Sequence, residues 1–224
     1  MNIKLTTADN LRSPVAEAFR SFRTNIQFSN VDKHIKSIVV TSSVQGEGKS
    51  TVAFNLAVST AQTEKKVLLI DTDFRKPSVF SYIKPKHFMG LTNIIVQDID
   101  YRDVLQVDDD LKNLDIIISG PIPPNPCEIL GSAKMRNFMK ELDQEYDMII
   151  LDSPPVGLFT DAAVLSTMVS GVILVCASGE TKREDIGKSI DSLNKVGANL
   201  IGVVMNKVKH KKSSSYNSYY YKNK

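Results

Sequence analysis

SIVVTSSVQGEGKST, Ser37 to Thr51, decides how this chain folds. Its first five residues, Ser37 to Thr41, read as a strand buried on both faces: the run is β-branched and apolar and lacks a polar face. Ser43 to Thr51 then follow the pattern GxxxxGK[ST], with Ser43 in place of the first glycine. Gly46 and Gly48 let backbone N–H groups turn inward toward phosphate oxygens. Lys49 is placed to neutralise β- and γ-phosphate charge, and the Ser50 hydroxyl to ligate Mg²⁺. A helix opening at Lys49 adds its positive N-terminal end. Gly46, Glu47, Gly48, Lys49, Ser50 and Thr51 are therefore the candidate nucleotide-binding set. The alternative is a glycine-containing strand–helix turn with no ligand. It is disfavoured because GEGKST both follows a buried strand and opens a helix.

Five further apolar runs continue the pattern: Val67 to Asp71, Asp115 to Ser119, Met148 to Asp152, Val172 to Ala177 and Leu200 to Asn206. Helical stretches fit around and between them, at 14–28, 49–64, 132–145, 160–169 and 183–196. Asp161 and Glu184 lie near the starts of two of these. Strand–helix alternation of this kind predicts a doubly wound α/β domain with a mainly parallel sheet. The expected organisation is one domain over 1–206, with 14–28 as its N-terminal helix. A flexible tail over 207–224 follows.

Two strand ends are acidic. Val67 to Ile70 runs into Asp71-Thr-Asp73, and Met148 to Leu151 runs into Asp152-Ser-Pro-Pro155. Each carboxylate lies at the carboxyl edge of the sheet, where open α/β sheets bind ligands. Taken singly, either is equally well a turn or cap residue. Beside the phosphate loop they read as metal-site carboxylates, with Asp152 holding Mg²⁺ directly or through water. The last strand ends Asn206-Lys207-Val208-Lys209. GTPases carry NKxD there, and its aspartate accepts hydrogen bonds from guanine. Lys209 cannot accept, so ATP is favoured over GTP. Asn206 is either a strand-end turn residue or a contact to adenine.

The chain has 224 residues with 28 Lys+Arg and 25 Asp+Glu, a formal charge of +3, which argues against a dedicated nucleic-acid binder. The charge is uneven. Lys207 to Lys224 hold six lysines and no acid, which leaves 22 bases and 25 acids in 1–206, or −3. The same tail carries Tyr216, Tyr219, Tyr220 and Tyr221, four of the seven tyrosines. Cys127 and Cys176 form neither CxxC nor a ligand cluster, which points to a reducing compartment. The polar N-terminus lacks the apolar core of a signal peptide, and no apolar run approaches the ~18 residues of a membrane span.

These motifs together resemble the bacterial tyrosine kinases of capsule and exopolysaccharide synthesis, in the form found in Firmicutes. The resemblance covers nearly the whole chain. It rests on TSSVQGEGKST (41–51, Walker A), LLIDTDFRKP (68–77, Walker A′), SGPIPPNPCEIL (119–130), IILDSPP (149–155, Walker B) and the tyrosine cluster. Gln45 stands where proline is common and Ser153 where threonine is common. The resemblance implies a P-loop NTPase fold of the Walker A/A′/B type in which Lys49, Ser50, Asp71, Asp73 and Asp152 serve ATP, Mg²⁺ and catalysis. Ser50, Asp71 and Asp152 would hold the metal. Asp71 would orient the substrate tyrosine hydroxyl and accept its proton.

Glu17, Arg20 and Arg23 form an ExxRxxR spacing within 14–28 that spans roughly 120° of one helix face. By pattern alone they are a solvated face with i,i+3 pairs. Val15, Phe19, Phe22 and Ile26 mark the face expected to pack on the body. The resemblance makes Glu17, Arg20 and Arg23 the element that joins subunits into a ring. It also implies a separate membrane-spanning adaptor that activates the kinase at the inner face of the cell membrane, protein tyrosine substrates, and a cognate phosphotyrosine phosphatase.

The tail fits the role of substrate. Asn206 delivers it to the edge of the sheet where the phosphate loop begins. The ten residues to Tyr216 span roughly 17 Å as a coil and about 33 Å stretched, so Tyr216, Tyr219, Tyr220 and Tyr221 can reach their own site or a neighbour's. The implied ring favours the neighbour. Two other readings compete. A partition-type positioning ATPase would carry a second lysine where Val44 stands, and an iron–sulfur carrier ATPase would need a cysteine pair.

Overall fold

The computed structural model describes residues 13–29, 35–107 and 111–208. Seven strands form one sheet: β1 Ser37–Ser42, β2 Val67–Asp71, β3 Gln106–Val107, β4 Leu114–Ile117, β5 Met148–Asp152, β6 Gly171–Ala177 and β7 Leu200–Asn206. Their order is β3-β4-β2-β5-β1-β6-β7. Six run parallel, and only the two-residue β3 pairs antiparallel, with β4. The helices are α1 Pro14–Phe28, α2 Lys49–Ala61, α3 Leu91–Gln97, α4 Pro126–Leu130, α5 Ala133–Glu145, α6 Asp161–Ser166 and α7 Arg183–Lys195. This is the doubly wound, mainly parallel α/β fold that the strand–helix alternation predicts.

The central strands carry apolar residues on both faces, and helices cover both. Ile38, Val40, Leu69 and Ile150 pack with α2 and with Ile26 of α1 on one face. Val39, Leu68, Ile149 and Leu151 pack with α3, α5, α6 and α7 on the other. The chain leaves β1 toward β2 on one side and leaves its neighbour β6 toward β7 on the other, so a crevice opens at the carboxyl ends of these two strands.

Each element has a local cause. Ser13 caps α1 by accepting from the Ala16 N–H at 3.0 Å, with Pro14 in the first turn. Ser132, expected inside a helix, instead caps α5 by accepting from Met135 N–H at 3.1 Å. α1 packs through the expected face at Phe19, Phe22 and Ile26 and departs from it only in the first turn. Val15 is exposed in the first turn, while Ala16 and Ile26 are buried and Phe19 and Phe22 partly so. Arg23, four residues after Phe19 and three before Ile26, falls on that same face and so reaches α2. α3, α4 and β3 were not anticipated. At seven, five and two residues they are too short to display a period.

Candidate active site

The phosphate loop is built by two left-handed glycines, Gly46 (φ 82°) and Gly48 (φ 88°). Gly48 ends the loop as the N-cap of α2 and offers no side-chain cap, so the first N–H groups of α2 are left for a ligand. A Cβ at Gly48 would stand 2.1 Å from Asn206 Nδ2, so alanine there is strained by φ and would also push the Asn206 side chain off the loop. The loop borders a cleft of about 460 Å³, shared with Asp73, Arg75, Ser78, Tyr82 and Phe159. A cleft of similar size at the amino edge of the sheet, about 450 Å³ and lined by Arg136 and Lys140 among others, contains none of the predicted residues.

The four residues expected to be catalytic converge. Asp71 and Asp152 are register partners at the ends of β2 and β5. Lys49 Nζ lies 2.8 Å from Asp73 Oδ2 and 3.5 Å from Asp152 Oδ1, with both carboxylates buried. Burial alone would lower the Lys49 pKa, but the charges of Asp152 and Asp73 more than offset it, and the net direction is upward. Burial pushes Asp152 up despite Lys49. Asp71 is raised as well: burial, with Asp152 adding repulsion, lifts its carboxyl to about 7. Three backbone N–H groups hold it in place. Asp73 donates to Oδ1, and Ser78 and Val79 donate to Oδ2, each at 3.0 Å. A carboxyl poised near neutrality beside a fixed ammonium suits proton transfer.

The donor chemistry fits a hard divalent cation. Asp152 Oδ2 and Ser43 Oγ are buried without a hydrogen-bond partner among the described residues. The Ser50 hydroxyl accepts from Ser78 Oγ at 2.7 Å in the same cleft. No group of three or more His, Cys, Asp or Glu among the described residues forms a ready metal cage. That suits Mg²⁺, which uses one or two carboxylates together with phosphate oxygens and water.

The remaining predicted residues are placed as follows. Thr51 Oγ1 lies 2.8 Å from Tyr82 OH, and the Tyr82 ring stacks on Phe54 at 4.8 Å. Asn206 Nδ2 donates to the Glu47 carbonyl at 2.9 Å, tying the end of β7 to the phosphate loop. Glu17 and Arg20 pair at 2.7 Å on the exposed side of α1. Arg23 turns inward and donates to the Ser59 carbonyl of α2. Tyr216, Tyr219, Tyr220 and Tyr221 lie outside the described residues.

Two groups of contacts at the site were not anticipated, the first of them around Glu47, itself one of the expected nucleotide-binding residues. Glu47 is buried, and its carboxylate accepts from Val44 N–H at 2.8 Å and from the Thr181 hydroxyl, which itself accepts from Ala177 N–H at 2.8 Å. Thr181 gave no signal because it lies in a loop far along the chain. The second group is the pair of Arg75 and Asp161. Arg75 was legible only as part of LLIDTDFRKP, and Asp161 only as a helix-start acid.

The family model described as an AAA domain matches residues 35–199, and the class it defines is the nucleotide-binding fold just described. Tyrosine-protein kinase YwqD of Bacillus subtilis (strain 168) is 42% identical over 217 residues, which is 97% of this chain and 90% of that protein. The crystal structure of the chimerical protein CapA2B2 superposes with a TM-score of 0.85 at 36% identity, covering 92% of this chain and 90% of that one. The kinase domain of Escherichia coli tyrosine kinase ETK superposes with a TM-score of 0.84 at 28% identity, covering 96% and 86%. The chain belongs to the bacterial tyrosine-protein kinase family.

Proposed function

We propose that this chain uses ATP to phosphorylate protein tyrosines, foremost Tyr216, Tyr219, Tyr220 and Tyr221 of its own tail, and thereby regulates capsular or extracellular polysaccharide synthesis and export. The observation that carries this reading is Lys49, which is held between Asp73 and Asp152 at the start of α2 beside a carboxyl, Asp71, raised to about 7. The kinase relatives support it.

Phosphoryl transfer passes through a loose transition state, so the protein's task is positioning and charge neutralisation. The ammonium of Lys49 takes charge developing on the phosphoryl oxygens, and the α2 N–H groups add to it. Ser50, Asp71 and Asp152 would hold Mg²⁺, which when bound neutralises phosphate charge. A tyrosine hydroxyl, with a reference pKa of about 10, arrives protonated. Asp71, oriented by Asp73, Ser78 and Val79, accepts that proton on a carboxylate oxygen. Asn206 keeps its Oδ1 for the adenine amino group while its Nδ2 holds the loop.

On this reading 1–206 is the catalytic unit and 207–224 its substrate tail. Phosphorylation occurs in trans within a ring joined through Glu17, Arg20 and Arg23. No helix among the described residues is long and apolar enough to cross a membrane. A separate membrane-spanning adaptor would recruit the cytoplasmic chain to the inner leaflet and activate it, and a phosphotyrosine phosphatase would reverse the reaction. Incubation with labelled ATP and Mg²⁺, followed by mass mapping, should place phosphate on the four tail tyrosines. Undiminished autophosphorylation after changing all four to phenylalanine would refute the tail as substrate.

A further inference from the structure

Arg75 and Phe159 line the same cleft as the phosphate loop, yet the chemistry above uses neither. Asp73 fixes where Arg75 begins: its Oδ1 accepts the Arg75 and Lys76 N–H groups at 3.2 and 2.9 Å, while its Oδ2 faces Lys49. Phe159 is fixed from the neighbouring strand, because its N–H donates to Pro155 and Val156 N–H donates to Ser42. The Arg75 guanidinium lies over the Phe159 ring, 4.1 Å from its centroid. The fully buried Asp161 takes both Nε (3.3 Å) and Nη2 (3.1 Å) on Oδ2. Asp161 Oδ1 is buried with no hydrogen-bond partner among the described residues.

A guanidinium held this way is poorly suited to serve as a free phosphate clamp. Its charge already answers a buried carboxylate that would be costly to leave unpaired. What it offers the cleft is a flat, cationic surface backed by an aromatic ring, with about a third of the side chain exposed. Such a plane stacks on aromatic faces. Lysine in its place would keep the charge and lose the plane.

We propose that Arg75, held by Asp161 and Phe159, forms a subsite that binds the aromatic ring of the phosphoacceptor and so selects tyrosine over serine and threonine. This deepens the kinase reading and rests on it. The shelf lies two residues beyond Asp73, at the rim of the Lys49–Asp73–Asp152 cluster. A phenol ring lying against it reaches its hydroxyl a ring's length further than serine can, toward Asp71. A serine or threonine there has neither a face to stack nor the length to reach. Arg75 and Phe159 act on the ring and take no proton.

The test uses the full chain with ADP and a labelled peptide of residues 213–222 in which every tyrosine is phenylalanine, an aromatic probe that cannot react. Arg75→Lys and Phe159→Ala should each weaken peptide binding roughly 3- to 30-fold, the range of a partly desolvated cation–π contact. Phe159→Tyr should bind like the unaltered chain, and the same peptide carrying leucine should bind the unaltered chain weakly. Nucleotide affinity should stay within about twofold throughout. In turnover with the tyrosine peptide, Arg75→Lys should raise KM by the same factor and leave kcat largely intact. Equal affinity for phenylalanine and leucine peptides overturns the proposal. So does unchanged binding in Arg75→Lys, or a matching loss of nucleotide affinity, which would reassign Arg75 to phosphate. Absence of phosphotyrosine from the unaltered chain while the phenylalanine peptide still binds through Arg75 would sink the kinase reading alone.

Discussion

Replacing Asp71 with asparagine should stabilise the protein at pH 8 while removing its proton acceptor. Asp71 is fully buried beside Asp152, and its carboxyl is lifted to about 7. An unfolded aspartate titrates near 3.9. Between about pH 4 and pH 7 the folded chain therefore binds more protons than the unfolded one, and stability falls as pH rises. At about 1.4 kcal/mol per pH unit, the ionised side chain costs about 4 kcal/mol by pH 8 but only about 1.5 kcal/mol at pH 5. Asparagine escapes that cost and loses one acceptor. If its oxygen serves Ser78 and Val79, its amide meets the Asp73 N–H, a mismatch of about 1–3 kcal/mol. The variant should thus be more stable by roughly 1–3 kcal/mol at pH 8, and near or below the unaltered chain at pH 5. Urea unfolding at half-unit pH steps reads the difference. A stability gap that is the same at pH 5 and pH 8, or a variant less stable at pH 8, would refute the assignment of a strained carboxyl to Asp71.

Other substitutions probe the rest of the site. Lys49→Met should abolish phosphoryl transfer and cost about 3–5 kcal/mol in thermal unfolding, because two buried carboxylates lose their cation; adding Asp73→Asn should recover stability but not activity. Thr181→Val should weaken ATP binding, measured by calorimetry, and lower stability by about 1–3 kcal/mol, because Glu47 loses a buried donor. Glu17→Ala should shift the assembly to smaller species on sizing at nearly unchanged stability, since its pair with Arg20 is exposed. Arg23→Ala should also lower stability, by about 1 kcal/mol, through its lost bond to Ser59.

The fold was legible because a buried parallel sheet announces itself in runs such as VLLID and MIILD that carry no polar face. The converging residues were legible because Asp71 and Asp152 directly follow such runs, and parallel register makes strand ends neighbours. Partners joined only by tertiary structure were hidden. Thr181 carries no local pattern and Asp161 only that of a helix-start acid, and each becomes meaningful only when the fold brings it to a partner far away in sequence. Arg23 shows the converse limit: the ExxRxxR spacing reads as a solvated face, yet Arg23 stands four residues after Phe19 and three before Ile26, on the side that packs against α2, and reaches Ser59.

The bond network around Glu47 bears on how the protein is made. Thr181 and Asn206, which fasten the phosphate loop, follow it by 134 and 159 residues. β1, which precedes the loop, likewise finds its neighbours β5 and β6 only after residue 148. At a synthesis rate of about 5–20 residues per second, the loop waits roughly 8–30 s for its last anchor. Contacts of such long sequence separation also form late in folding. A nascent or truncated chain therefore exposes GEGKST without holding it in shape, and a nucleotide that needs the shaped loop would favour completed molecules.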